Sequence, residues 1–330
     1  MLRSPVLREW EYGFILMHGN AIILLKSCHN CLKPRISCAL PRRDPLMSIE
    51  AFSYGSTSSL YVEYVKRSEP YTMSIDHFHS YYEIYYLLSG SRVYFVKDRT
   101  FRVEQGDLVF IDKSVVHKTL QGPLAPEHER IVIHFTDAYL EGVAGSNSAL
   151  LLEPFRQASP VIRLPRSELR SADTVIRRLL GEIRLKPAGY ELVPPAAVTE
   201  LLLATSRSLR ENAHIGLDGD TSPKHAKIFE IVRYLNEHYD EPVKLGEIAA
   251  DFYISPYHLS RSFREVTGFT FSDYLLLTRV KEAQRQLKET DLPIAGIAAS
   301  CGFDNFSHFG KMFKKITRQS PREYRKGARF

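Results

Sequence analysis

Two stretches of the chain hold the residues with chemistry to offer. The first is His77-x-His79-x3-Glu83-x6-Gly90, followed by Gly106-Asp107 and then His117. Two imidazoles and a carboxylate from one hairpin, with a third imidazole from another strand, make a donor set for a divalent cation. The same groups also suit the polar lining of a small-ligand pocket made of His77, His79, Glu83, Tyr85 and His117. Strand alternation puts Glu83, Tyr85 and Leu87 on one face, which is how Tyr85 joins them. Tyr81, Tyr82, Tyr85, Tyr86 and Tyr94 would stack well on a sugar ring, although tyrosine-rich strands are also ordinary sheet. The second stretch is the C-terminal end, where Lys311 to Phe330 carries eight basic residues against one acid, Glu323. Such a run is either a solvated surface or the footprint of a polyanion. No nucleophile motif, phosphate loop or cofactor fingerprint accompanies either stretch, so no residue is assigned a catalytic role and no cofactor is required.

The elements that must position these groups differ along the chain. Between about 59 and 135 the pattern is short strands: Tyr82–Leu88, Arg92–Val96, Thr100–Val103, Leu108–Ile111, Val116–Leu120 and Ile131–Phe135. Aromatic and β-branched runs with regular turn signals predict a β-sandwich or barrel. The period then becomes helical, over Leu169–Ile183 and Ala196–Leu209. Residues 214–223 (HIGLDGDTSP) have the Gly, Asp and Pro content of a linker, and the remainder is helical throughout.

With 330 residues, the chain is long enough for two or three domains. Its 44% apolar and 25% charged residues exclude a disordered tail protein, a collagen-like fibre and a small disulfide scaffold. The net charge of +6 is unevenly placed: +4 over residues 1–46, −3 over 47–223 and +5 over 224–330. Phe14–Leu25 is broken by His18-Gly19-Asn20 and is too short to span a membrane. Cys28 and Cys31 have CxxC spacing and Cys38 follows, but no second pair completes a structural zinc site. Residues 1–46 are therefore expected to be an unstructured extension, consistent with translation from an upstream start. Cys301, in a helical apolar pattern, is expected in a core.

Residues 243–330 contain a duplication. Ile248-Ala249-Ala250 recurs as Ile297-Ala298-Ala299, and Phe263, Thr267 and Tyr274 recur as Phe313, Thr317 and Tyr324. Each copy reads as a short helix, a tight turn and a second helix, the later ones starting at Pro256 behind Ser255 and near Asn305. Between the copies, Leu276, Val280, Ala283 and Leu287 form the stripe of a connecting helix over Ser272–Glu289. Such a rod, roughly 27 Å long, would set two recognition helices about one DNA turn apart.

The stretches IAADFYISPYHLSRSFREVTGFTFSDYL and RVKEAQRQLKETDLPIAGIAASCGFDNFSHFGKMFKKITRQSPREYR resemble the DNA-binding domain of the AraC/XylS family of bacterial transcription regulators. One departure is Arg318, where the family usually has Gly; a locally altered helix end is expected there. By position in the motif, the resemblance implies base contacts from Tyr257, Ser260, Arg261, Phe306, Ser307, His308 and Lys311. It implies phosphate contacts from Arg264, Lys314, Lys315 and Arg322, with Leu259, Phe263, Phe309 and Phe313 in the core. The histidine motif and the strand run resemble the cupin-like sensor found at the N-terminus of many such regulators, with Asp112 and Ser114 replacing the usual Pro and Gly.

The expected fold is α+β and multidomain: a cupin-like β-barrel (jelly roll) with following helices, then an all-α tandem helix-turn-helix domain. The divisions are 1–46, extension; 47–145, effector-sensing barrel; 146–213, helical dimerisation region; 214–223, linker; and 224–330, DNA-binding domain. The resemblance implies a cytoplasmic regulator that binds double-stranded DNA as a homodimer, with no membrane association. It would be controlled by a small effector such as a carbohydrate, and as an activator it would meet RNA polymerase. The alternative is a cupin metalloenzyme, an oxygenase or isomerase, carrying a DNA-binding appendage and a metal on His77, His79, Glu83 and His117.

Overall fold

The computed structural model describes residues 17–18, 21–22, 49–73, 78–123, 126–212 and 216–327. The chain divides into two units at residues 46 and 47. In the first, strands β1 (Met17–His18) and β2 (Ala21–Ile22) make a short antiparallel pair. Cys28, Cys31 and Cys38 lie outside the described residues.

The second unit begins with nine strands: β3 (Ile49–Gly55), β4 (Leu60–Arg67), β5 (Tyr82–Ser89), β6 (Ser91–Val96), β7 (Arg99–Glu104), β8 (Leu108–Ile111), β9 (His117–Gln121), β10 (His128–Phe135) and β11 (Val161–Ile162). They form two antiparallel sheets, in the orders β11-β8-β5-β10-β4-β3 and β7-β6-β9. Because side chains alternate, the central strands serve two cores. Ile84, Tyr86, Ile131 and Ile133 pack outward with helices α3 (Arg166–Leu185) and α4 (Val193–Glu211). Tyr85, Leu87 and Val132 pack inward with Tyr94, Phe101 and Val103 of the smaller sheet. The apolar stripes of α3 and α4 are thus used up within the chain. Helices α1 (Asp137–Ala144), capped by Thr136, and α2 (Ser148–Leu151) precede them. They are too short for a sequence period to reveal.

The segment expected as a linker is tied to the strands. Leu217 N–H donates to the Val161 carbonyl at 2.9 Å and Asp220 N–H to that of Thr100 at 2.8 Å. Helix α5 (Pro223–Glu237) follows, then α6 (Leu245–Asp251), α7 (Pro256–Thr267), α8 (Phe271–Glu289), α9 (Ile294–Ser300), α10 (Phe306–Thr317) and α11 (Pro321–Gly327). The caps are local. Ser255 Oγ and Asn305 Oδ1 accept the backbone N–H of His258 and His308 at the starts of α7 and α10. Cys301 is buried in this helical core, as its pattern predicts.

The outer face of the smaller sheet is covered by the end of α7 and the start of α8. Phe95 of β6 meets Phe269 and Tyr274 at ring-centroid distances of 5.9 and 6.0 Å. Thr100 Oγ1 donates to the Val266 carbonyl at 3.1 Å, and the Tyr274 hydroxyl donates to that of Lys97 at 3.1 Å.

This packing accounts for the difference between the two helix ends. Gly268 has φ +80°, and a Cβ there would come within 2.4 Å of Leu120 Cδ2. Arg318 has the same left-handed conformation, φ 64°, at an exposed site. The expected alteration of the helix end is absent, because Arg318 N–H still donates to the Lys314 carbonyl at 2.9 Å. Its cost is backbone strain alone. Arg318→Gly should therefore stabilise the protein by up to about 1 kcal/mol in urea unfolding, whereas Gly268→Ala should destabilise it.

Candidate nucleic-acid interface and barrel cavity

Helices α7 and α10 are amphipathic, and each divides its residues in the same way. Leu259 and Phe263 on α7, and Phe309 and Phe313 on α10, are fully buried. Tyr257, on the other face of α7, is 77% exposed, and Phe306, the first residue of α10, 55%. Ser260, Arg261, Ser307, His308 and Lys311 are exposed beside them, as are Arg264, Lys314, Lys315 and Arg322. Tyr253, in the turn before α7, is 97% exposed with φ +53°, a residue the motif reading did not single out. Two aromatic and polar helix faces flanked by cations suit base edges and phosphates respectively.

Inside the barrel, Glu83 is buried on β5. Its Oε2 lies 3.2 Å from His79 Nε2, 3.0 Å from His134 Nε2 and 3.8 Å from His117 Nε2. The Tyr94 hydroxyl donates to Oε1 at 3.3 Å. Burial alone would raise the Glu83 carboxyl; the facing His117, with His134 and His79, outweighs it and holds the group well below the usual carboxylate range. Burial lowers the His79 imidazole. For His117, burial is outweighed by the Glu83 charge, and its pKa is raised.

His79, Glu83 and His134 place one ligand atom each within 4.8 Å of one another. His134 is a residue the sequence reading did not name, and His77 lies outside the described residues. The hydrogen bonding of His79 is informative. Its Nδ1 is 2.8 Å from the Tyr81 carbonyl, which can only accept. In the neutral ring Nε2 therefore turns a lone pair toward Glu83 Oε2, and a proton or a cation must lie between the two.

Beside this cluster is a cavity of about 140 Å³, lined by Glu63, Tyr71, Met73, Glu83, Tyr85, Arg92, Tyr94, Thr119, His128, Arg130, Val132 and His134. Of the expected pocket residues, Glu83 and Tyr85 line it. His79 and His117 do not, because they approach Glu83 without reaching the cavity. Tyr82 and Tyr86 face the helices and cannot stack on a ligand there. Arg92, His128, Arg130 and His134 were missed. A charged residue inside the apolar run RVYFV and the alternation of Arg130, Val132 and His134 were the available signals.

Residues 248–327 match a helix-turn-helix domain family and residues 65–121 a cupin domain family. The chain is 32% identical over 148 residues to the uncharacterized HTH-type transcriptional regulator YijO of Escherichia coli (strain K12), covering 44% of this chain and 50% of that one. It is 24% identical over 269 residues to the HTH-type transcriptional activator RhaR of Cronobacter sakazakii, covering 78% of this chain and 88% of that one. Among solved structures it is similar to the C-terminal domain of AraT, a response regulator from Geobacillus stearothermophilus. There the identity is 31% and the TM-score 0.31, over 32% of this chain and 86% of that one. Among the described residues no helix is long and apolar enough to cross a membrane.

Proposed function

Because the chain is a transcription regulator of the AraC family, with a cupin domain ahead of a tandem helix-turn-helix domain, we propose that it activates a promoter through α7 and α10 under control of a small effector held in the barrel. The observation that carries the DNA reading is the division of those two helices into buried Leu259, Phe263, Phe309 and Phe313 and an exposed polar and aromatic face. Tyr257, Ser260, Arg261, Phe306, Ser307, His308 and Lys311 take the base edges; Arg264, Lys314, Lys315 and Arg322 take phosphates. The family is one of regulators, which decides against the metalloenzyme alternative.

The test is a binding-site selection with the full chain and Arg261→Ala. Loss of the guanidinium should relax preference at one or two base pairs by about 1–3 kcal/mol. An unchanged selected sequence would remove Arg261 from the base contacts.

Strand β6 supplies a path for effector control. Arg92 and Tyr94 line the cavity, while Phe95 packs on Phe269 and Tyr274 beyond the end of α7. A ligand that shifts β6 therefore shifts the footing of the first recognition helix. A homodimer meeting through Leu185 and Leu192, exposed at the ends of α3 and the turn after it, belongs to the same proposal. Sedimentation of the full chain tests it: a strict monomer at high concentration sinks the dimer. Contact with RNA polymerase and a cytoplasmic location follow from the activator role.

A second reading is a divalent cation on His79, Glu83 and His134, favoured by the two acceptors that face one another at His79 Nε2 and Glu83 Oε2. The donor set fits a borderline cation such as zinc, which would tie β5 to β10. Metal analysis of the purified protein should then give near-stoichiometric content, and a clearly substoichiometric value overturns this reading.

A further inference from the structure

We infer that the barrel cavity binds a small carboxylate, held by Arg92, Arg130 and the Tyr85 hydroxyl. This deepens the effector proposal and rests on it.

Arg92 is 0% exposed. Its Nη1 donates to Gln121 Oε1 at 3.1 Å and its Nη2 to the Tyr71 backbone carbonyl, both neutral acceptors. Its Nε is buried without a partner. Arg130 Nη2 donates to Glu63 Oε2 at 2.8 Å, while its Nη1 is buried without a partner. The Tyr85 hydroxyl is buried without a partner as well. All three residues line the one cavity.

A buried guanidinium facing only neutral acceptors is unfavourable unless a counter-charge is supplied. The unmet groups also say what kind of counter-charge. Guanidinium N–H groups only donate, and the Tyr85 hydroxyl, buried without a partner, has its own proton to give. The two carboxylates in the lining are already engaged, Glu63 by Arg130 and Glu83 by the histidines and Tyr94. The unmet groups of Arg92, Arg130 and Tyr85 thus all have a proton to give, whereas the unpartnered nitrogen of the lining beside them, His134 Nδ1, belongs to a neutral ring and supplies no counter-charge. A neutral sugar brings hydroxyls that donate as well as accept, and no charge to set against the two guanidinium groups. A carboxylate brings acceptors only, in the planar arrangement that guanidinium N–H groups match. His128 reports the same field: burial, with the charges of Arg92, Arg130 and Arg67, pushes its imidazole down to about 4. The volume of about 140 Å³ limits the size, since an engineered protein cavity of about 150 Å³ accepts benzene. A monocarboxylate of three to five carbons fits that space.

The experiment is calorimetric melting of the full chain in carboxylate-free buffer, titrated separately with propionate, butyrate, lactate, propionamide, inorganic phosphate, glycerol and a neutral hexose. At least one carboxylate should raise Tm saturably, by about 3–6 °C at tenfold excess over its Kd. Propionamide, which has the shape of propionate without its charge, should do nothing. Arg92→Met should melt no earlier than the unsubstituted protein without ligand and should lose the shift. Tyr85→Phe, which removes one hydroxyl from the site, should weaken binding about tenfold. A saturable response to glycerol or the hexose with none to any carboxylate leaves the effector reading standing and overturns the anion. A response to phosphate alone overturns the carboxylate. Silence from every probe counts against both the anion and a small effector in this cavity.

Discussion

Phe309→Ala should destabilise the protein by about 3–5 kcal/mol and abolish sequence-specific DNA binding, whereas Phe306→Ala, three residues earlier, should do neither of these things. The two phenylalanines share one helix and one side-chain type, so the contrast isolates burial. Phe309 is fully buried and meets Phe303 and Phe313 at ring-centroid distances of 5.0 and 5.5 Å. Truncation there removes apolar contact with both rings and opens a cavity that α9 and α10 cannot both collapse into, since α8 packs on them. Phe306 is more than half exposed and meets Phe309 only at 6.2 Å. Its loss should leave the urea midpoint within about 0.5 kcal/mol of the parent and weaken specific binding by about 1–3 kcal/mol, as expected for an apolar contact to a thymine methyl. Urea melts and fluorescence anisotropy on the selected operator read the two quantities separately. Should Phe306→Ala melt early while binding is retained by its folded fraction, Phe306 is a core residue and the base-contact assignment for α10 fails.

The two halves of the protein differ in how much of this was legible. On α10 the relevant spacing is local: four residues place Phe309 and Phe313 on one face and leave Ser307, His308 and Lys311 on others, whereas Phe306, three residues before Phe309, falls on the core stripe by period and is exposed because it opens the helix. The barrel depends on pairings far apart in sequence. Alternation within β5 correctly grouped Glu83 with Tyr85, but nothing in β5 says that β10 lies beside it in the register His134↔Glu83 and Val132↔Tyr85. That register brings His134 to the carboxylate and turns Arg130 into the same cavity. Arg92 arrives from the other sheet, across the barrel. The composition of β4, with Glu63, Lys66 and Arg67 among its apolar residues, hid a strand whose inward face carries the partner of Arg130. The segment after α4 has linker composition, yet its backbone is tied to Val161 and Thr100 by hydrogen bonds that composition does not encode.

Converting Arg264, Lys314, Lys315 and Arg322 together to alanine should weaken binding to every DNA sequence and leave the selected sequence unchanged. All four are exposed, so the fold loses little. The diagnostic is salt. Each phosphate contact contributes about −0.9 to the slope of log K against log salt, so four lost contacts flatten the slope by about 3.6 per bound chain. Between 50 and 200 mM salt the parent should therefore lose on the order of a hundredfold more affinity than the variant. A charge-matched control separates contact from net charge. Lys66, Arg102, Arg170 and Arg184 are exposed on the strands and on α3, and their conversion to alanine removes the same four charges. Long-range repulsion is screened within about 10 Å at 0.1 M salt, so the control should keep nearly the parental slope. Equal flattening in both variants would mean that net charge, rather than a phosphate track along α7, α10 and α11, sets the affinity. A variant that keeps the parental slope would place the four cations away from the DNA.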